Sequence, residues 1–114
     1  MGRLTWESLP KKPLPGRRNL VITSRDLPGV ECFRSIPEAI ETCADEDVWF
    51  IGGRWVYTEA MGHADTIDLT IVPTRIEHAD AIYFPPINSS MWTKLASVSP
   101  TKEGLRCEMY KRKV

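Results

Sequence analysis

The chain has 114 residues, 42% of them hydrophobic and 26% charged, with 15 basic and 15 acidic side chains. That length fits one core, so a single soluble globular domain over residues 1–114 is expected, and the balanced charge provides no general pull toward nucleic acid or an anionic membrane. No apolar run is long enough to span a bilayer or serve as a signal segment, and Cys32, Cys43 and Cys107, an odd set without C-x-x-C spacing, read as free thiols of a reducing cytoplasm with no metal role.

In chain order, Thr5 or a near neighbour caps a short helical turn, Trp6-Glu7-Ser8-Leu9. Pro10 to Gly16 is a proline-rich loop that cannot extend that turn. The β-branched run from Asn19 to Ser24 predicts a strand, and Val30 to Phe33 a brief edge strand after the turn at Asp26–Gly29. Ser35-Ile36-Pro37-Glu38 is a capping box with proline near the first helical position, which predicts a helix to about Cys43. Val48-Trp49-Phe50-Ile51 reads as a buried strand, Trp55–Met61 as a helix and Thr66–Val72 as a strand. In that last strand, alternation puts Ile67, Leu69 and Ile71 on one face and Asp68, Thr70 and Val72 on the other. Two alternating runs, Trp92–Ser99 and Leu105–Arg112, flank Pro100-Thr101-Lys102-Glu103-Gly104 and predict an antiparallel hairpin. The sum is an α/β chain with a mixed sheet, flanking helices and a C-terminal hairpin.

The junction at Gly52-Gly53 is where chemistry is most concentrated. A strand that breaks on two glycines and feeds a helix lets the backbone approach a ligand closely, with unpaired N–H groups and the helix dipole facing an anion such as phosphate. A glycine pair in a loop is more often an ordinary turn, and surface arginines such as Arg3, Arg25 and Arg34 are more often plain solvated charges.

Three longer motifs shift that balance: Met1-Gly2-Arg3-Leu4-Thr5-Trp6-Glu7-Ser8, then Pro13-Leu14-Pro15-Gly16-Arg17-Arg18-Asn19, then Ile51-Gly52-Gly53-Arg54-Trp55-Val56-Tyr57. With Ser35–Ile40, Asp68-Leu69-Thr70 and Tyr83-Phe84-Pro85 they resemble the dihydrofolate reductase family, whose pattern runs M-G-R-x-T-W-E-S, P-L-P-G-R-x-N, I-G-G-x-x-[VL]-Y. The resemblance implies the family's fold and its reaction, NADPH-dependent reduction of 7,8-dihydrofolate to tetrahydrofolate, with a cis peptide bond between Gly52 and Gly53. It implies a cofactor site at Gly2, Arg3, Leu4, Thr5, Thr23, Ser24, Arg25, Arg34, Ile51, Gly52, Gly53, Arg54, Trp55, Val56 and Tyr57, with Arg3 and Arg25 toward the adenosine 2′-phosphate.

For the substrate, dihydrofolate, the resemblance implies Ser8, Leu9, Leu14, Arg17, Ile51, Tyr57 and Thr70. Arg17 would grip the carboxylate of the glutamate tail, Leu9 and Leu14 would line the benzoyl part, and Thr70 would be a supporting hydroxyl at the pterin; Arg18 would face solvent. The family's catalytic acid, flexible loop and first central strand all stand before M-G-R, so a chain lacking its N-terminal part is expected, with no acid among Glu7, Glu59 and Asp68. Asp80 resembles a loop residue that contacts the flexible loop, across two extra residues between Thr70 and Phe84. A complete chain would be a monomer, and a truncated one would be prone to aggregation or fragment complementation. Two other readings stand beside this one: a non-catalytic nucleotide-binding or structural remnant, and a riboflavin-pathway reductase of the same fold, against which Trp6-Glu7-Ser8 and Pro13-Leu14-Pro15-Gly16-Arg17 argue.

Overall fold

The computed structural model describes residues 1–72, 82–98 and 104–113, which fall into two compact units, Met1–Gly62 and His63–Val114. The expected turn at residues 100–103 and Asp80 lie outside the described residues.

The first unit holds α1 (Arg3–Ser8), β1 (Leu20–Ile22), β2 (Glu31–Phe33), α2 (Ile36–Glu41) and α3 (Arg54–Ala60). β1 and β2 pair in parallel, Leu20 opposite Glu31 and Ile22 opposite Phe33. Ile22, Ile36, Ala39 and Val56 are buried together, with Leu20, Phe33, Ile40 and Phe50 packed on them. α2 starts as its sequence predicts: Ser35 Oγ accepts from the Glu38 N–H, Pro37 occupies the first turn, and Glu38 Oε2 reaches back to the Arg34 N–H. It ends sooner than expected, because Thr42 caps it and turns its hydroxyl onto the Ala39 carbonyl.

Two expectations need correction here. α1 starts at Arg3, with Gly2 rather than Thr5 at the cap; Thr5 lies inside the first turn, where its carbonyl accepts from Ser8 Oγ. Residues 48–51 are not a buried strand. Val48 is 41% and Trp49 70% exposed, and no ladder forms on the segment among the described residues. An apolar run becomes a strand only when another backbone satisfies its N–H and C=O groups, and composition does not report that partner.

The second unit is an antiparallel sheet, β3 (Thr66–Ile71), β4 (Trp92–Val98) and β5 (Arg106–Arg112), ordered β3-β5-β4. The expected C-terminal pair is present, with an irregularity between Lys94 and Ala96. The alternation along β3 holds, since Ile67 is buried and Leu69 and Ile71 are half-buried, while Asp68 and Thr70 are exposed. Parallel and antiparallel pairings thus both occur, giving the expected α/β class.

Glu108 is buried in this sheet and fully partnered: Lys94 Nζ donates at 2.9 Å and Arg106 at 3.1 Å to one oxygen, and Tyr110 Oη at 2.8 Å to the other. The Lys94 contact, then the Tyr110 hydroxyl, hold its carboxyl below the usual value of 4.5. A depressed folded-state value contributes stability that is present above 4.5 and lost as pH falls through the folded value. Melting temperature should therefore fall on acidification below 4.5, and the part contributed by this group should vanish from the pH profile of Glu108→Gln. Identical pH profiles for the two proteins would remove Glu108 from the account.

Candidate active site

Two of the three helix starts of the first unit, those of α1 and α3, meet at glycines. Gly2 N donates to Gly52 O at 2.7 Å, tying the residue before α1 to the residues before α3. A Cβ on Gly2 would sit 3.6 Å from Val56 Cγ2 and 3.8 Å from Gly53 N, and one on Gly53 would sit 3.7 Å from Thr5 Oγ1. Gly52 has φ +102°, where a side chain is strained, and its missing Cβ would lie 3.1 Å from the Tyr57 ring. The Gly52–Gly53 peptide is cis, as the resemblance implies, and Lys12–Pro13 is cis as well. Neither helix has a side-chain cap, so its first-turn N–H groups stay open to a ligand, the first intrahelical bonds being Trp6 N to Gly2 O and Tyr57 N to Gly53 O.

Around this junction the sequence-derived cofactor residues take different parts. Arg3 is bound to Glu7 one turn along α1, at 2.8 Å. Leu4 and Trp55 are exposed apolar groups at the second position of each helix, and Arg54 is exposed beside Trp55. Val56 is only 1% exposed, so its side chain belongs to the core and only its amide can serve a ligand. Tyr57 is half-buried against Gly52, and burial pushes its hydroxyl above the usual tyrosine value. Thr23 Oγ1 accepts from the Arg25 N–H at the end of β1; Ser24, Arg25 and Arg34 are exposed.

An open cleft of about 590 Å³ adjoins the core of this unit. Leu14, Arg17 and Ile51 border it, with Ile22, Ile36 and Val48 among its apolar walls. Of the other substrate-side residues, Ser8 spends its hydroxyl on Thr5 O, and Leu9 closes α1. Thr70 is an exposed residue of the second unit, its Oγ1 3.9 Å from Cys107 Sγ.

What holds Leu14 and Arg17 in place is Asn19. Its buried amide accepts from the Leu14 N–H and donates to the carbonyls of Leu14 and Arg17, all at 2.9–3.0 Å, closing the proline-rich loop onto β1. Sequence alone places Asn19 at the start of a strand and at the end of the P-L-P-G-R-x-N motif, and the motif is the signal for this clasp. Arg18 is the other omission: it is exposed, as expected, but its charge is paired. Its fork donates to both oxygens of Glu31 at 2.8 and 2.9 Å, to Glu46 at 2.9 Å, and to the carbonyl and hydroxyl of Thr42. These bonds hold Glu31 below the usual carboxylate range and push Arg18 above the arginine range. Partners so far apart in sequence leave no local pattern to read.

Residues 1–112 match the dihydrofolate reductase family model. The chain belongs to the dihydrofolate reductase family. It is 43% identical to the dihydrofolate reductase of Neisseria gonorrhoeae over 81% of this chain and 58% of that relative. To the enzyme of Mycobacterium leprae it is 39% identical, over 81% of this chain and 59% of that relative. The dihydrofolate reductase of Enterococcus faecalis, solved as a complex with NADP(H) and RAB-propyl, matches with a TM-score of 0.83 and 26% identity, over 99% of this chain and 72% of that one. The chain thus spans under three fifths of the length of the first curated dihydrofolate reductases it matches.

Proposed function

We propose that this chain carries the cofactor half of a dihydrofolate reductase site, binding NADPH for the reduction of 7,8-dihydrofolate to tetrahydrofolate. The observation that carries the proposal is the glycine junction, where Gly2, Gly52 and Gly53 bring two uncapped helix starts together. A dinucleotide fits that arrangement. Its pyrophosphate needs donors and no intruding Cβ, and the junction offers the amides of both first turns and the hydroxyl of Thr5, with glycine wherever a side chain would crowd.

When bound, NADPH supplies the hydride, delivered from its nicotinamide C4 to C6 of the pterin. The chain's own work is binding and alignment. Arg17 and Leu14, fixed by Asn19, are placed for the substrate tail, and Ile51 and Tyr57 flank Gly52 where the two rings are expected to meet. Protonation at N5 has no obvious donor among the carboxylates at the cleft, since Glu46 is committed to Arg18 and Asp47 is exposed. Binding without turnover is therefore a second reading for residues 1–114 taken alone.

Titration of the chain with NADPH and NADH tests the cofactor assignment. With Arg3 and Arg25 facing the 2′-phosphate, NADPH should bind more tightly, and Arg3→Ala should reduce that preference by roughly tenfold, a charge-assisted contact being worth about 1.5–3 kcal/mol less the lost Glu7 pairing. Equal losses for the two cofactors would sink the 2′-phosphate assignment of Arg3.

A further inference from the structure

Three consecutive residues after the proline-rich loop, Arg17, Arg18 and Asn19, are put to three different uses. Arg17 donates its Nε to the Pro15 carbonyl at 2.9 Å, and its two terminal nitrogens hold no bond among the described residues. That leaves N–H groups of one guanidinium open to an outside carboxylate. Asn19 is the buried clasp that takes the Arg17 carbonyl from inside. Arg18 spends its fork on other elements: both carboxylate oxygens of Glu31 at the start of β2, the carbonyl and hydroxyl of Thr42 at the end of α2, and Glu46 beyond it. An isolated exposed ion pair fixes little, because two long side chains must be held for one contact. Here a single planar group meets five acceptor atoms, one of them a backbone carbonyl, so the pairing acts as a staple. Arg17, Arg18 and Glu46 all border the cleft.

We infer that Arg18 is a positioning residue for Arg17: its pairing with Glu31, Thr42 and Glu46 fixes the backbone from which Arg17 offers its open nitrogens to the carboxylate of the substrate's glutamate tail. The inference rests on the substrate-side reading of Arg17 above. The backbone around Arg17 is otherwise thinly held. Gly16, just before it, turns at φ +73° with nothing within 4 Å of its Cβ position, and the Glu31 N–H reaches the Asn19 carbonyl only at 3.3 Å. A fork carried on a fixed backbone gives up little freedom when it grips a ligand, whereas a loop that swings must be ordered by the ligand itself. Only a ligand that reaches Arg17 gains from the staple. The ring system of the substrate and the cofactor do not.

The experiment is calorimetric titration of residues 1–114 with dihydrofolate, with dihydropteroate, which ends before the glutamate, and with NADPH. Arg18→Ala should weaken dihydrofolate about fivefold and leave the other two ligands unchanged, with Arg18→Lys recovering part of the loss. In an Arg17→Ala background the same change should cost nothing further, because the residue it positions is gone. Glu31→Gln separates positioning from plain charge attraction. It leaves the Arg18 cation in place and removes a nearby anion, so attraction alone would tighten dihydrofolate, whereas loss of the staple should weaken it. Tighter or unaltered binding by Glu31→Gln, equal losses for all three ligands, or additive losses in the double variant would overturn the inference and leave the reading of Arg17 standing. Failure of the folded, unchanged chain to bind dihydrofolate more tightly than dihydropteroate would instead overturn the reading of Arg17, and this inference with it.

Discussion

Residues 1–114 alone should bind NADPH yet oxidise it with dihydrofolate more slowly than a full-length family enzyme, by roughly the 10²–10⁴-fold that a positioned general acid contributes. A useful acid needs a dry setting that keeps its proton until the transition state, and the described carboxylates are placed otherwise. Glu7 is paired with Arg3, Glu46 with Arg18, and Asp47 and Asp68 are exposed. The same cleft should make the chain only marginally stable. Complete domains hold about 5–15 kcal/mol in reserve, and here an opening of about 590 Å³ adjoins the core next to a segment with no ladder among the described residues. Loss of NADPH absorbance on adding dihydrofolate, measured beside a thermal melt, checks both halves. Joining the N-terminal segment of a related reductase should raise the rate and sharpen the melt. Near-normal turnover and a steep melt without that segment would mean that another group donates the proton.

Gly52→Val should all but abolish cofactor binding. At φ +102° a branched side chain costs on the order of 1–3 kcal/mol in the backbone alone. Its Cβ would also meet Tyr57 Cε2 at 3.1 Å and Cζ at 3.3 Å, so either the ring or the Gly52 carbonyl must move. That carbonyl accepts the Gly2 N–H, and shifting it separates the two helix starts. Together these should weaken NADPH binding by about a hundredfold. Gly16→Ala is the control, since Gly16 has φ +73° with nothing within 4 Å of its Cβ position, so it carries the strain without the crowding. It should lower the melting temperature and leave NADPH affinity unchanged. Equal affinity losses in the two variants would show that strain, rather than the junction, is responsible.

Local rules made much of this chain legible. The capping box at Ser35 and the alternation along β3 depend on neighbours within a few positions, and the C-terminal strand pair announces itself by two alternating runs; all three are found. The glycine junction could be located too, because glycine pairs mark themselves. What stayed hidden depends on partners distant in sequence. Residues 48–51 have the composition of a buried strand but no ladder among the described residues, and Val56, placed by motif at the ligand, packs its side chain in the core. Arg18 looked like an idle neighbour of Arg17 because its partners Glu31, Thr42 and Glu46 lie 13 to 28 positions away. Asn19 was legible as a β-run boundary and illegible as a loop clasp, since the clasp exists only once the prolines have folded the loop back.

The placement of the indoles makes the molecule its own thermometer. Trp6 is buried in the first unit and Trp92 in the second, while Trp49 and Trp55 already face water. With the two outer indoles replaced by phenylalanine, the emission colour of each remaining one follows the wetting of its own unit. Arg112 sits 4.6 Å above the Trp92 ring, so that second signal will also register the departure of a cation, a change in brightness distinct from the shift in colour. Two optical channels can therefore tell whether the two units unfold in one cooperative step or in succession.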